Sequence, residues 1–195
     1  MKIAFIGAQG VGKTTLSTTL HKRVESSHIV RESVRECPYP CDQSADFKTE
    51  WWILSHSILA EQEAREMKKD LIITDRCLLD IAVYTKLIND TKDGRINDSQ
   101  RKMIETNIKN WFEEDPFDYV FFIKVSPEVW KTRDLNDGFR SLDQGWYELL
   151  TSEFEKALER FEISSKTKLI VIENNGAFDE TYSKVMSHLS AQLKI

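Results

Sequence analysis

The sequence predicts an α/β fold, a five-stranded parallel sheet with helices on both faces and a short helical lid. Three observations lead there. Five short apolar runs, at 2–6, 28–30, 71–74, 119–123 and 169–172, alternate with segments of helical character. The runs are nearly continuous in apolar residues, as strands covered on both faces are. A glycine loop from Gly7 to Thr14 joins the first run to the first helical segment. With 195 residues, one sizeable core is expected and two are not, so 1–195 is read as a single domain.

Each element has its own justification. Residues 15–24 continue as a helix with Leu16, Leu20 and Val24 on one face. The second strand ends at Arg31-Glu32, and 33–46 is a loop because of Pro38, Pro40 and its polar residues. A long helix follows over 47–69, with Trp51, Leu54, Ile58 and Leu59 as its apolar stripe and Glu61–Arg65 as a spaced ion pair. The third strand ends at Asp75-Arg76. Residues 78–88 are helical, and 89–97 form a polar turn containing Gly94. Asp98 or Ser99 caps the next helix, which runs to about Phe112. Pro127 suits the first helical turn after Ser126. Asn136-Asp137-Gly138 breaks the following segment, helix resumes over 146–163, and an amphipathic helix closes the chain at 179–193.

Composition narrows the function. A net charge of −5 argues against a general nucleic-acid binder with a basic surface, although it allows a local basic cleft. No apolar run approaches the roughly 18 residues of a membrane span. The first strand starts at Lys2, which leaves no room for a signal peptide. Cys37, Cys41 and Cys77 are an odd, sparse set, as expected of free thiols in a reducing, cytoplasmic compartment. Cys37-Pro38-Tyr39-Pro40-Cys41 has no second Cys/His pair nearby and reads as a proline-stiffened loop, not a metal knuckle.

Gly7-Ala8-Gln9-Gly10-Val11-Gly12-Lys13-Thr14 is a complete G-x-x-x-x-G-K-S/T phosphate-binding loop in its strand–loop–helix context. Gly7 and Gly12 permit backbone angles that a Cβ forbids, and Gly10 lets the chain approach phosphate closely. Successive N–H groups through Val11 to Thr15 then point at the anion, at the positive end of a helix. Lys13 reaches the β- and γ-phosphates of ATP, and Thr14 holds Mg2+. In a parallel sheet, ligands bind beyond the carboxyl ends of the strands. Asp75, at one such end, is placed to ligate Mg2+ or to accept a proton; Glu32, at another, is its rival as proton acceptor. Arg31, Arg35 and Arg76 share that edge and could bind an anionic acceptor. The lid, about 126–146, carries Lys131, Arg133 and Arg140. An arginine there would stabilise the transferring phosphoryl group, with Arg140 the first choice and Arg133 the second. Trp51 and Trp52 point about 100° apart, so one packs in the core while the other, taken as Trp52, is available to stack on an acceptor ring.

In this order, Gly7–Thr14, Glu32-Ser33-Val34-Arg35, Asp75-Arg76 and Asp137-Gly138-Phe139-Arg140-Ser141-Leu142, the chain resembles P-loop nucleoside and nucleotide kinases. The last segment is similar to the lid of NadR-type kinase domains, which phosphorylate nicotinamide riboside; Asp75-Arg76 also resembles thymidylate kinases. The resemblance implies ATP with Mg2+ as donor and a nucleoside, nucleotide or modified nucleotide as small-molecule acceptor. It implies Lys13 and Arg140 on the phosphoryl group, Thr14 on the metal, and Asp75 or Glu32 near the acceptor. No adenylyltransferase domain accompanies it, and the Glu-Pro-Gly-Gly stretch of thymidylate kinases is absent after Glu32. Related phage kinases act on hydroxymethyl pyrimidines in DNA, so a DNA acceptor stays open, as does a homodimer; no membrane partner is expected. From another class, a regulatory GTPase would carry Asn-Lys-x-Asp where the fourth strand ends Ile123-Lys124-Val125-Ser126, and an assembly ATPase would carry paired acids where Asp75-Arg76 stands.

Overall fold

A computed structural model describes residues 1–133, 143–161 and 166–193. Its five strands are β1 (Lys2–Ile6), β2 (Ser27–Val30), β3 (Leu71–Asp75), β4 (Tyr119–Lys124) and β5 (Lys168–Glu173). They form one parallel sheet in the order β2-β3-β1-β4-β5. The helices between them are α1 (Lys13–Arg23), α2 (Phe47–Glu66), α3 (Leu78–Asp90), α4 (Asp98–Glu114), α5 (Pro127–Thr132), α6 (Gln144–Arg160) and α7 (Phe178–Leu193). Adjacent strand residues point to opposite faces. Phe121 meets His188 of α7, whereas Phe122 stacks on Phe154 of α6, so helices cover both faces as expected.

The central strand β1 is wholly buried, and its carboxyl end opens into the glycine loop. Leu16, Leu20 and Val24 are buried against the sheet, as their spacing predicts. The edge strand β5 is less covered than its apolar run suggests: Leu169 and Val171 are exposed. Among the described residues, no helix is long and apolar enough to cross a membrane.

Two local expectations are corrected. The cap of α4 is Asn97, not Asp98 or Ser99: its side chain accepts from Gln100 N, while the Gln100 side chain accepts from Asn97 N, both at 2.9 Å. The buried face of α2 is Thr49, Glu50, Ile53, Leu54, Glu61 and Ala64. Trp51 and Leu59, assigned to the apolar stripe, are exposed, and two glutamates occupy core-facing positions instead. Hydrophobicity alone points away from glutamate, so the true face was rotated out of view.

Candidate active site

The glycine loop is held open by its backbone. Gly7, Gly10 and Gly12 have φ of 134°, 76° and 100°. A Cβ on Gly7 would collide with the Ile123 carbonyl oxygen, and one on Gly12 would lie 2.6 Å from Asn174 Nδ2. Glycine is therefore required at both points for conformation and for space. Helix α1 starts at Lys13 with no side-chain cap and no acidic residue in its first turn. Its N-terminal N–H groups are left to an anion, and Thr14 and Thr15 are exposed beside them. Lys13 is 4% exposed and donates to the carbonyls of Gly7 at 2.8 Å and Ala8 at 2.7 Å.

Three residues from the far side of the sheet brace the loop. Trp130 Nε1 donates to Gln9 O at 3.0 Å. Arg133 donates to Gly10 O at 2.8 Å and to Asn174 O at 2.6 Å. Asn174 Nδ2 donates to Val11 O at 2.8 Å, and its Oδ1 accepts from Thr181 at 2.8 Å. Arg133, expected on a moving segment, is thus tied to the loop backbone. Asn174 follows β5 at the ligand edge; its role as a brace had no motif to announce it.

Beside the loop lies a cleft at the carboxyl ends of β2 and β3. Asp75 ends β3 opposite Phe5, one residue before the end of β1. It is 3% exposed, and its Oδ1 has no hydrogen-bond partner. Glu32 accepts from Arg35 Nε at 2.8 Å and from Arg76 Nε at 2.6 Å. Arg76 Nη1 donates to Asp80 at 2.9 Å. The φ of Arg76 is 78°, a left-handed conformation costly for a side chain of this size. It turns the guanidinium back between Glu32 and Asp80. Burial raises the Asp80 carboxyl above its usual range, while Arg76 and Lys13 pull it back. Asp80 also accepts from Cys77 N at 3.1 Å, which anchors it at the start of α3.

The cleft has a cavity volume of about 60 Å3 and opens to solvent, with Val34, Ile53 and Ile81 as apolar lining and Asp42, Glu50, Asp80 and Tyr84 as polar lining. Glu32, Asp75 and Arg76 line an adjoining cavity that shares Val34, Ile53, Arg76, Asp80 and Ile81 with it. The structure therefore gathers Lys13, Thr14, Asp75, Glu32, Arg35 and Arg76 at one edge. The arginine cluster is not a bare cationic patch, because Arg35 and Arg76 both pair with Glu32; Arg31 is exposed. Trp52 lies elsewhere: it stacks on His56 with ring centroids 3.5 Å apart and lines a separate groove with Tyr39, Phe47, Lys48 and Trp51. The two grooves lie on different faces of α2, Glu50 and Ile53 lining one and Trp51, Trp52 and Ser55 the other, a rotation that residue type alone does not reveal. Arg140 and 137–142 lie outside the described residues. Asp80, Glu50 and Tyr84 were missed; the spacing Arg76 to Asp80, one helical turn, was the available signal. Cys37, Cys41 and Cys77 are free thiols, and no metal-holding cluster of His, Cys, Asp and Glu occurs among the described residues.

Comparison with solved structures finds the deoxyadenosine kinase of M. mycoides in several bound forms. The form with products dCMP and a flexible dCDP matches with a TM-score of 0.75 and 22% identity, covering 98% of this chain and 100% of that one. The form with bound dCTP gives 0.72 and 22% over 98% and 100% of the two chains. The form with bound dATP gives 0.71 and 24% over 97% and 99%. At these identities the likeness is one of fold. No curated protein matches. The sequence itself matches the AAA domain family over residues 2–170, and by that match the chain belongs to this family of nucleotide-binding-loop proteins.

Proposed function

We propose that this protein is an ATP-dependent kinase transferring the γ-phosphoryl group to a hydroxyl or phosphate of a nucleoside or nucleotide. One observation carries the reading. At the carboxyl ends of β2 and β3, Glu32, Asp75, Arg76 and Asp80 line one cavity, and Asp75 stands opposite Phe5, one residue before β1 ends at the glycine loop. The fold it shares with a deoxyadenosine kinase supports the same reading.

In this reading the loop N–H groups from Gly10 to Thr15 hold the donor phosphates. Lys13 leaves the Gly7 and Ala8 carbonyls to pair with the β- and γ-oxygens. The unpartnered oxygen of buried Asp75 and the exposed Thr14 hydroxyl are hard oxygen donors and suit Mg2+. When bound, Mg2+ neutralises charge on the donor oxygens. Glu32, oriented by Arg35 and Arg76, accepts the proton of the acceptor hydroxyl. Arg140 is assigned to the transferring phosphoryl group, with Arg133 as second choice and brace. Arg35 and Arg76 also meet the acceptor.

The test is transfer of labelled γ-phosphate from ATP across ribosides, deoxynucleosides, their monophosphates and hydroxymethyl-modified DNA. Transfer to a nucleoside or nucleotide, lost in Arg140→Ala more through turnover than through ATP affinity, is the expected result. Hydrolysis of ATP unstimulated by every acceptor would favour a regulatory NTPase and end the kinase reading.

A further inference from the structure

The loop between β2 and α2 carries a pair of thiols that the transfer step does not use. Cys37 follows the short helical turn Ser33–Glu36, and Cys41 precedes a second one, Asp42–Ser44. Both are half-buried and free. The Cys41 thiol is within hydrogen-bonding reach of the Cys37 sulfur, and the Tyr39 carbonyl oxygen lies 3.1 Å from it. Pro38 and Pro40 fix φ at two of the three intervening residues. Asp42, at a φ of 57°, turns the chain just beyond Cys41. The backbone therefore holds the sulfurs together, and little chain entropy is left to lose on joining them.

We propose that Cys37 and Cys41 form a reversible disulfide, made by exchange with a small-molecule disulfide of the oxidised glutathione type, and that the bond tightens the wall of the acceptor cleft. The bond itself goes beyond the kinase reading; only its effect on acceptor use rests on that reading. The Cys37 thiolate attacks one sulfur of the oxidant, whose S–S bond breaks and releases one thiolate. Cys41 then gives its proton to water, and its sulfur attacks Cys37 Sγ, forming the new bond and releasing the second thiolate. The protein loses two electrons and two protons, and the small disulfide becomes two thiols. Cys41 takes the second step because its thiol is pushed up to about 12, by burial first and then by Cys37, Glu50 and Asp42. A thiol so held is a poor first nucleophile. Closure is therefore slow and transient, as befits a redox response.

The pair sits where such a bond is felt by the cleft. Val34 lines the cleft shortly before Cys37, and Asp42 lines it immediately after Cys41. The two halves of the loop are anchored separately. In the first, Cys37 N donates to Val34 O at 3.3 Å, and Ser33 meets Ser57 of α2 at 3.2 Å. In the second, Thr49 of α2 donates to Pro40 O at 2.9 Å, and Trp146 Nε1 of α6 donates to Asp42 at 2.9 Å. A bond between the sulfurs joins these halves, so Val34 and Asp42 no longer part to admit a ligand. The glycine loop is braced instead by Trp130, Arg133 and Asn174, which leaves ATP use unaffected.

The test equilibrates the intact protein with reduced and oxidised glutathione, alkylates it with N-ethylmaleimide under denaturing conditions, and reads mass and peptide map. With oxidised glutathione in excess, the wild type loses about 2 Da, Cys37 and Cys41 escape alkylation, Cys77 is alkylated, and dithiothreitol reverses the change. Cys41→Ser stops instead at a glutathione adduct on Cys37. In the oxidised wild type, kcat/KM for the acceptor falls about fivefold, that for ATP holds, and reduction restores the first. The wild-type readings need no variant and stand if Cys41→Ser fails to fold. Alkylation of both thiols at every glutathione ratio, a stable glutathione adduct on the wild type, a disulfide between two chains, or closure that leaves acceptor use unchanged overturns the inference and leaves the kinase reading intact. Absence of transfer to every nucleoside and nucleotide overturns the kinase reading and the effect on acceptor use, and the mass readings alone then decide the bond.

Discussion

Glu61 and Glu50 lie eleven residues apart on one face of α2, at 2% and 3% exposure, and their surroundings differ in kind. Glu61 lines the cavity that Glu32, Asp75 and Arg76 also line, but its carboxylate is turned to Lys2 at the start of β1. It pairs there with Lys2 at 2.8 Å and accepts from Trp111 Nε1 at 2.9 Å. Lys2 also binds Asp115 at 2.6 Å and lies over the Phe117 ring. Each charge in this group has opposite charge or a donor beside it. At the carboxyl edge burial and the neighbouring Asp46 raise the Glu50 carboxyl, and Asp75 Oδ1 is without a hydrogen-bond partner. Buried polar atoms in native proteins are nearly always satisfied. The amino edge obeys that rule within the chain; the carboxyl edge leaves atoms for something outside it. The two ends of the same sheet thus differ in how far the chain satisfies its own buried charges, and in the proposed kinase reading the unsatisfied end is the chemical one.

The sharpest way to break this division is at the carboxyl edge. Lys13→Ala is expected to lower turnover by about 10^3-fold, since it removes charge from the transferring phosphate. Asp75→Asn is expected to lower turnover by about 10^2-fold while leaving the melting temperature within a few degrees, because no hydrogen bond of Oδ1 is lost. Circular dichroism melts beside kinetics separate the two effects. A large drop in stability for Asp75→Asn would place Asp75 with the structural charges.

At the amino edge the effect reverses. Glu61→Ala strips Lys2 of one buried partner and orphans Trp111 Nε1. It is expected to cost about 3 kcal/mol, read from urea unfolding, because removing one member of a buried pair strands the other. Turnover per folded molecule stays unchanged. A turnover loss with wild-type stability would show that the amino edge reaches the chemistry.

The sequence exposed these two ends unequally. The position of the glycine loop, Asp75 and Glu32 at the carboxyl edge was legible because the apolar runs fix where the strands of a parallel sheet end. The strands were legible because β1, β3 and β4 carry unbroken apolar runs. Glu50, Glu61 and Lys2 were not, because burial of a charge depends on partners distant in the chain: Lys2 and Glu61 are 59 residues apart. Trp52 misled for the related reason that aromatic character does not say which groove a helix face meets. The pairing of Arg35 and Arg76 with Glu32 likewise turns an apparent cationic patch into an oriented network.

Stability against pH compares the two glutamates more gently. The folded carboxyl of Glu50 is raised to about 8 from an unfolded value of 4.5. The unfolded chain releases this proton first as pH rises, so stability falls between those two values, by at most about 1.4 kcal/mol per pH unit. Below 4.5 both states hold the proton and the effect vanishes. Glu50→Gln has no proton to lose. Its melting temperature is therefore expected to gain on the wild type steadily from pH ~5 to pH ~8. Parallel curves for the two proteins would mean that Glu50 is ionised in the fold.

The smallest expected effect separates pairing from burial. Lys92 and Asp98 approach to 3.3 Å near the start of α4, with side chains 65% and 75% exposed. On contact distance alone this pair resembles those at the amino edge. In water, however, each charge keeps its hydration, and ordering two mobile side chains offsets the attraction. Lys92→Ala should therefore shift the melting temperature by no more than about one degree, in either direction, and leave kcat unchanged. A shift comparable with that of Glu61→Ala would mean that proximity of opposite charges suffices for stability here, and the distinction between the two edges would then have to rest on geometry other than burial.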